Sequence, residues 1–452
     1  MAEIKDHGFF GSLKVKVGGI SVFILLAVVV VAGVAVGATL LFRDGYKNLE
    51  ALQAQEAARA ELGLDEELPE PINTFVNTDQ SEEEPAERVE APVITTEAGE
   101  DVNLMKAQQT VANMTLEEKI CQMMFVTQES LTGYTKVTQS GSATQVSFNK
   151  YPVGGVIYFA QNLVTMDQTK TMISNLQNYA RERSGFGLFI GVDEEGGSVA
   201  RLADNLGTTE FEDMAVYGAT GDTQQAYDIG YTISEDMRSL GFNVDFAPVA
   251  DVLTNRENTV VADRSFGSDP KMVAAMVKQE VRGFVDGGVL CAPKHFPGHG
   301  STGEDTHDGF ASSARTTEEL QSCDLVPFQE AITAGAPMIM VGHMTMTEID
   351  KDNPASLSSA IVNGMLRAQM GYEGIIITDA LNMEAITDLY TSGEAAVKAV
   401  QAGCDMLLCV NNLSGAVEAL TEAVENGEIS EARIDESVVR ILTAKYRYGI
   451  AS

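Results

Sequence analysis

The run Gly374–Leu381, GIIITDAL, sets three isoleucines behind a glycine and then turns to an aspartate, Asp379. An unbroken β-branched run of this length suits a strand buried on both faces, as in a parallel sheet covered by helices. Seven more such runs recur between stretches of helical periodicity: CQMMFVT from Cys121, GVIYF from Gly155, LFIGVDEE from Leu188, VDFAPVAD from Val244, VLCAPKHF from Val289, MIMVGHM from Met338 and CDMLLCV from Cys404. Eight strand–helix units predict an α/β fold, a (β/α)8 barrel of TIM type forming a single catalytic domain. A doubly wound open sheet is the alternative. It does not readily explain why so many runs end on a polar residue: Asp193, Asp251, Lys294 with His295, His343 and Asp379. In a (β/α)8 barrel those ends converge on one face, where active sites lie.

Outward from these runs, composition narrows the choices. The 452 residues are 44% hydrophobic, ample for a large core, and carry a formal net charge of -35. Such a surface repels phosphate backbones, and no dense Lys/Arg cluster offsets it, so nucleic acid is not an expected partner. The five cysteines are odd in number, scattered through apolar stretches and without a C-x-x-C pair, which reads as buried free thiols.

Four regions follow from the chain's organisation: a cytoplasmic segment over 1–16, a transmembrane signal anchor over 17–42, an acidic stalk and disordered linker over 43–102, and the catalytic barrel over 103–452. From Val17 to Phe42 no residue is charged, longer than the roughly 20 residues a spanning helix needs. A cleaved signal peptide is the competing reading, but its apolar core is usually about 7–15 residues. Lys5, Lys14 and Lys16 precede the span and an acidic stretch follows Asp44, which predicts a single-pass protein of the cell membrane with its catalytic domain outside. From Pro69 to Asp101 the chain is rich in Glu, Pro and Thr and too poor in large apolar residues to order itself. Order is expected to return near Val102, with Thr115 and Glu118 spaced as a capping box. ESVVRILTAKYRYGI reads as an amphipathic last helix.

Three segments concentrate chemistry. KHFPGHGSTGEDTH, Lys294–His307, holds three of the five histidines. Its glycines at 298, 300 and 303 predict a flexible loop that carries Asp305 and His307 towards a substrate. Zinc is the rival reading, but the helical H-E-x-x-H pattern is missing, and no metal is expected. Asp379 at the end of an apolar strand is costly unless used or paired, the plain alternative being a cap for the next helix. GVDEEGGSVARL sets Asp193, Glu194 and Glu195 before two glycines, with Arg201 within one or two turns. Acids clustered beside an arginine suit a molecule with several hydroxyls, and a solvated loop is the alternative.

These motifs, over residues 105 to 450, resemble glycoside hydrolase family three, specifically its β-N-acetylhexosaminidase branch. DEEGGSVARL is similar to the family's D-x-E-G-G-x-V-x-R-L loop, and DRSFGSDP, Asp263–Pro270, to its R-[SA]-F-G element. KHFPGHG resembles the signature of the branch, and LRAQMGYEGIIITDALN that of the nucleophile. The resemblance implies Asp379 as nucleophile, His307 as general acid/base, and Asp305 as the carboxylate that orients it and raises its pKa. It implies sugar-binding roles for Asp193, Arg201, Arg264, Lys294 and His295. Ser301 stands where Asp is common and Thr306 where Ser is common, and Glu194 replaces a frequent Gln, adding charge near the pocket.

The activity implied is that of a retaining exo-β-N-acetylglucosaminidase, acting through a covalent glycosyl-enzyme on Asp379 and needing no metal or organic cofactor. Its partner would be a small carbohydrate or muropeptide, terminal β-linked N-acetylglucosamine on peptidoglycan fragments. Two alternatives stand beside it: a β-N-acetylglucosaminide phosphorylase, and a non-catalytic, membrane-tethered muropeptide sensor.

Overall fold

The computed structural model describes residues 101–303 and 311–452, together with two short strands, Lys16–Val17 and Ile20–Ser21, that pair antiparallel. The rest of the segment expected to span the membrane, the linker up to residue 100, and both Asp305 and His307 lie outside the described residues. Among the described residues no helix is long and apolar enough to cross a membrane.

Each of the eight apolar runs contains a strand. They are β1 (Met124–Thr127), β2 (Gly155–Ile157), β3 (Phe189–Val192), β4 (Val244–Asp245), β5 (Leu290–Cys291), β6 (Met338–Val341), β7 (Ile375–Thr378) and β8 (Leu407–Leu408). Six lie side by side in the order β8, β1, β2, β3, β4, β5, every neighbour parallel. β6 and β7 form a second parallel pair, in register from Met338 opposite Ile375 to Val341 opposite Thr378. Isolated parallel bridges link Phe296 to Val341 and Ile377 to Met406. The architecture is mixed α/β with a parallel sheet.

The strands are shorter than the apolar runs that announce them, for local reasons. In the first run the helix Leu116–Gln122 continues through Cys121, because Thr115 and Glu118 form the expected capping box at its start. In the third, Glu194 leaves the sheet and enters a hairpin, Glu194–Gly196 against Val199–Ala200. Inside the sheet Phe125 packs edge-on to Phe246 at 5.2 Å between ring centroids and stacks on Phe189 at 6.4 Å.

The helix Val102–Val111 starts at Asp101, whose carboxylate accepts from the backbone N–H groups of Asn103 and Leu104. It is tied to the last helix, Glu431–Arg447, by a 2.8 Å hydrogen bond between the Thr110 and Tyr446 hydroxyls and by the Asp101–Arg447 ion pair. All five cysteines are free thiols; four are buried and Cys323 is half-buried.

Candidate active site

β7 delivers Asp379, and its own signature locks it in place. Arg367 donates to the carbonyls of Tyr372 (2.6 Å) and Gly374 (2.7 Å) and pairs with buried Asp405, which accepts from Ile376 N–H within β7. The Asp379 N–H donates to the Val341 carbonyl of β6 at 2.8 Å, and its Oδ1 accepts from Ala380 N–H at 2.7 Å. The following helix, Glu384–Thr387, is headed by Met383, so Asp379 is no helix cap. His343, two residues beyond β6, places Nε2 3.0 Å from the Ala380 carbonyl and Nδ1 2.8 Å from the Ser356 hydroxyl. A carbonyl only accepts, so Nε2 carries a proton. Burial pushes the Asp379 carboxyl up, but His343, His295, the Ala380 N–H and Lys294 outweigh it and hold it below the ordinary carboxylate value.

Beside it stands a charge-balanced cluster. Lys294 Nζ lies 2.7 Å from Asp193 Oδ1 and 2.6 Å from Glu195 Oε1. Glu195 also takes a bidentate contact from Arg264, 2.7 Å to Nε and 2.8 Å to Nη2. Lys294 and Glu195 are both buried. Burial alone would neutralise Glu195, but the charges and hydrogen bonds of Lys294 and Arg264 bring its carboxyl far below the usual range. Burial likewise works against charge on Lys294, and Asp193 and Glu195 restore it. Glu195 thus stays ionised between two cations, and with Asp193 on Lys294 the cluster forms a rigid polar surface for hydroxyl groups.

His295 lies in the same site, held by a residue to which the sequence assigned no role. Asp251, fully buried in the segment after β4, puts Oδ2 2.8 Å from His295 Nδ1. Its Oδ1 accepts the backbone N–H of His295 (3.3 Å) and of His299 (2.6 Å). Burial raises the Asp251 carboxyl, and the two histidines with their N–H groups more than reverse this. An ionised Asp251 fixes the proton on Nδ1 and leaves Nε2 as the ring's second polar atom.

Two expectations are corrected. Lys294 to Gly300 are all buried, so this part of the loop is packed rather than flexible. Gly298 adopts φ +130°, and a Cβ on Gly300 would fall 2.1 Å from the Val252 carbonyl oxygen. These glycines serve close approach to the neighbouring segment. Glu194 does not join the Lys294–Glu195 cluster. It is buried and accepts from the N–H groups of Leu202 and Ala203, capping the helix Arg201–Leu206. Burial raises its carboxyl to about 7.

Of the residues singled out in the sequence, Asp379, Asp193, Lys294, Arg264 and His295 come together. Arg201 heads the helix that Glu194 caps, half-buried, and among the described residues it forms no ion pair with the cluster. Among the described residues no group of three or more His, Cys, Asp or Glu side chains is arranged to hold a metal.

Residues 115–444 match the model of the glycosyl hydrolase family 3 N terminal domain. The β-hexosaminidase LpqI of Mycobacterium tuberculosis is 36% identical over 310 residues, 67% of this chain and 78% of that protein. β-Hexosaminidase A of Pseudoalteromonas piscicida is 33% identical over 322 residues, 66% of this chain, which spans about half (54%) of that relative's length. Among solved structures, a glycoside hydrolase family 3 β-N-acetylglucosaminidase from Paenibacillus superposes with a TM-score of 0.70 at 38% identity, covering 75% of this chain and 63% of that one. With the family model spanning most of the chain and its motifs meeting around Asp379, the chain belongs to glycosyl hydrolase family 3.

Proposed function

We propose that this protein is a retaining exo-β-N-acetylglucosaminidase. The observation that carries the reading is an ionised, half-buried Asp379 at a strand end beside the Asp193–Lys294–Glu195–Arg264 cluster. The relatives named β-hexosaminidase and β-N-acetylglucosaminidase support the choice of sugar. The cluster and His295 hold the hydroxyls of a terminal sugar, so that the Asp379 carboxylate attacks the anomeric carbon. The glycosidic bond breaks as His307, oriented by Asp305, gives its proton to the departing oxygen. Water then attacks the glycosyl-Asp379 ester, yielding its proton to His307, and the sugar leaves with its configuration retained.

The bridges Phe296–Val341 and Ile377–Met406 support a further reading of the fold, in which the two parallel sheets join into one closed (β/α)8 barrel. The uncharged run Val17–Phe42 supports a membrane anchor ahead of a catalytic domain over 103–452 that faces the cell wall, with peptidoglycan fragments as the natural substrate.

A slow 2-fluoro glycoside tests the nucleophile: mass spectrometry of a peptic digest should find the sugar on the peptide containing Asp379. Asp379→Asn should lower turnover of the p-nitrophenyl β-N-acetylglucosaminide by at least about three orders of magnitude. An adduct on another residue, or an active Asn variant, refutes the assignment. Running the assay with and without phosphate separates hydrolysis from phosphorolysis, since only the latter yields a sugar 1-phosphate.

A further inference from the structure

The turn that carries Asp379 out of β7 is pinned on three sides. The Asp379 N–H donates to the Val341 carbonyl of β6 at 2.8 Å, and the Leu381 N–H to the Leu408 carbonyl of β8 at 2.8 Å. The third hold is on the Ala380 carbonyl, 3.0 Å from His343 Nε2. His343 and Leu408 thus grip the two ends of one peptide unit, that between Ala380 and Leu381, and its plane cannot rotate while both bonds stand. The remaining N–H of the turn, that of Ala380, donates to Asp379 Oδ1 at 2.7 Å. A hydrogen bond draws electron density from the oxygen that accepts it, which makes Oδ1 the poorer nucleophile of the pair. Oδ2 takes no hydrogen bond among the described residues and is not closed off from solvent.

His343 is itself held. It is buried, and its Nδ1 lies 2.8 Å from the hydroxyl of Ser356. Ser356 is fully buried in turn, its N–H donating to the Gly342 carbonyl at 3.1 Å and its carbonyl accepting from the Cys404 thiol at 3.4 Å. The imidazole can neither flip nor swing without losing both ring contacts. Filling the space does not require this arrangement, since an apolar side chain could pack there. Holding the Ala380 carbonyl does require it, because only an N–H or O–H donor can make that bond. Against burial, which raises the Asp379 carboxyl, His343 is also the strongest of the groups that lower it.

We propose that His343 is a positioning residue for the nucleophile: through the Ala380 carbonyl it fixes the turn so that Oδ1 stays bound and Oδ2 is the oxygen that attacks. A lone pair of Oδ2 forms the bond to the anomeric carbon, and the electron pair of the glycosidic bond leaves with the departing oxygen, which is protonated by the general acid. Oδ1 becomes the carbonyl oxygen of the ester and keeps its bond from Ala380 N–H. The inference rests on the glycosidase reading above. The test uses the full chain and follows the rate at which the slow 2-fluoro glycoside labels Asp379, with kcat and KM for the p-nitrophenyl β-N-acetylglucosaminide measured beside it. His343→Phe fills the space without a donor and is expected to label about a hundredfold more slowly, with kcat falling by a similar factor and KM changing less than about threefold. His343→Gln, whose side-chain N–H can reach the same carbonyl, is expected to recover about tenfold of that loss. Ser356→Ala leaves the ring in place but unheld, and is expected to label about tenfold more slowly even if His343→Phe fails to fold. Labelling of the Phe variant within about threefold of wild type, a Gln variant no faster than Phe, or a Ser356→Ala variant that labels like wild type overturns the proposal. A wild type that neither becomes labelled nor turns over the p-nitrophenyl glycoside overturns the glycosidase reading and this inference with it; a wild type that does both, while the variants keep pace with it, overturns only the inference.

Discussion

Glu194 and Glu195 are adjacent in sequence and opposite in fate. Successive side chains of an extended segment point to opposite sides. Glu195 thus reaches Lys294 and Arg264, while Glu194 turns to the N–H groups of Leu202 and Ala203. Glu194 faces Asp204 and Arg201 from that helix, and its own N–H is bound by buried Asp245 of β4. With its carboxyl raised from 4.5 to about 7, its contribution to stability is fully present below pH 4.5 and is lost as pH rises through about 7. Glu194→Gln cannot ionise and should lack that loss. Urea midpoints at pH 5 and pH 7.5 should show wild type losing about 2 kcal/mol more than the variant over this interval. Equal slopes would remove Glu194 from the account. The sequence grouped both acids at the pocket and did not separate them, because Lys294 and Arg264, which claim Glu195, come from segments far along the chain. Asp251 shows the same limit: visible as a polar strand end, it reveals itself as the clamp on His295 and His299 only once β4 and β5 lie side by side.

At the scale of elements, what sequence foretold best was what is written locally. The Thr115–Glu118 capping box, the return of order near Val102 and the eight apolar runs all depend on neighbours a few residues apart. Strand ends were less legible, since β4, β5 and β8 pair over only two residues each before the chain bends away. The glycines of KHFPGHGSTG were read as hinges because sequence reports conformational freedom but not what presses against it. Gly300→Ala tests the packed reading. A Cβ 2.1 Å from the Val252 oxygen forces the segment to shift, which should cost about 2 kcal/mol or more by thermal unfolding. It should also lower kcat/KM about a hundredfold through displacement of His295 and Lys294. A variant with native stability and activity would mean that the segment yields freely.

For the whole molecule, the helix Val102–Val111 is the piece whose importance is easiest to underrate, since the family match begins only at residue 115. It buries Ala107 and Val111 and joins the final helix through Thr110, Tyr446, Asp101 and Arg447. A chain of residues 101–452 is expected to unfold at the same temperature as the full protein. One of residues 114–452 should melt about 5 °C or more lower, reflecting lost apolar burial and an uncovered terminal helix. Identical melting of the two truncated chains would show that this helix is dispensable.

The pairing of β8 with β1 joins Leu407 to Met124, and this governs the order of events at the ribosome. Until Leu407 is made, the nascent chain presents one side of β1 as a bare edge, its partner still to be polymerised. Such an edge is open to the wrong strand, from this chain or another. The six-stranded sheet is therefore completed only once the chain has emerged past Leu408.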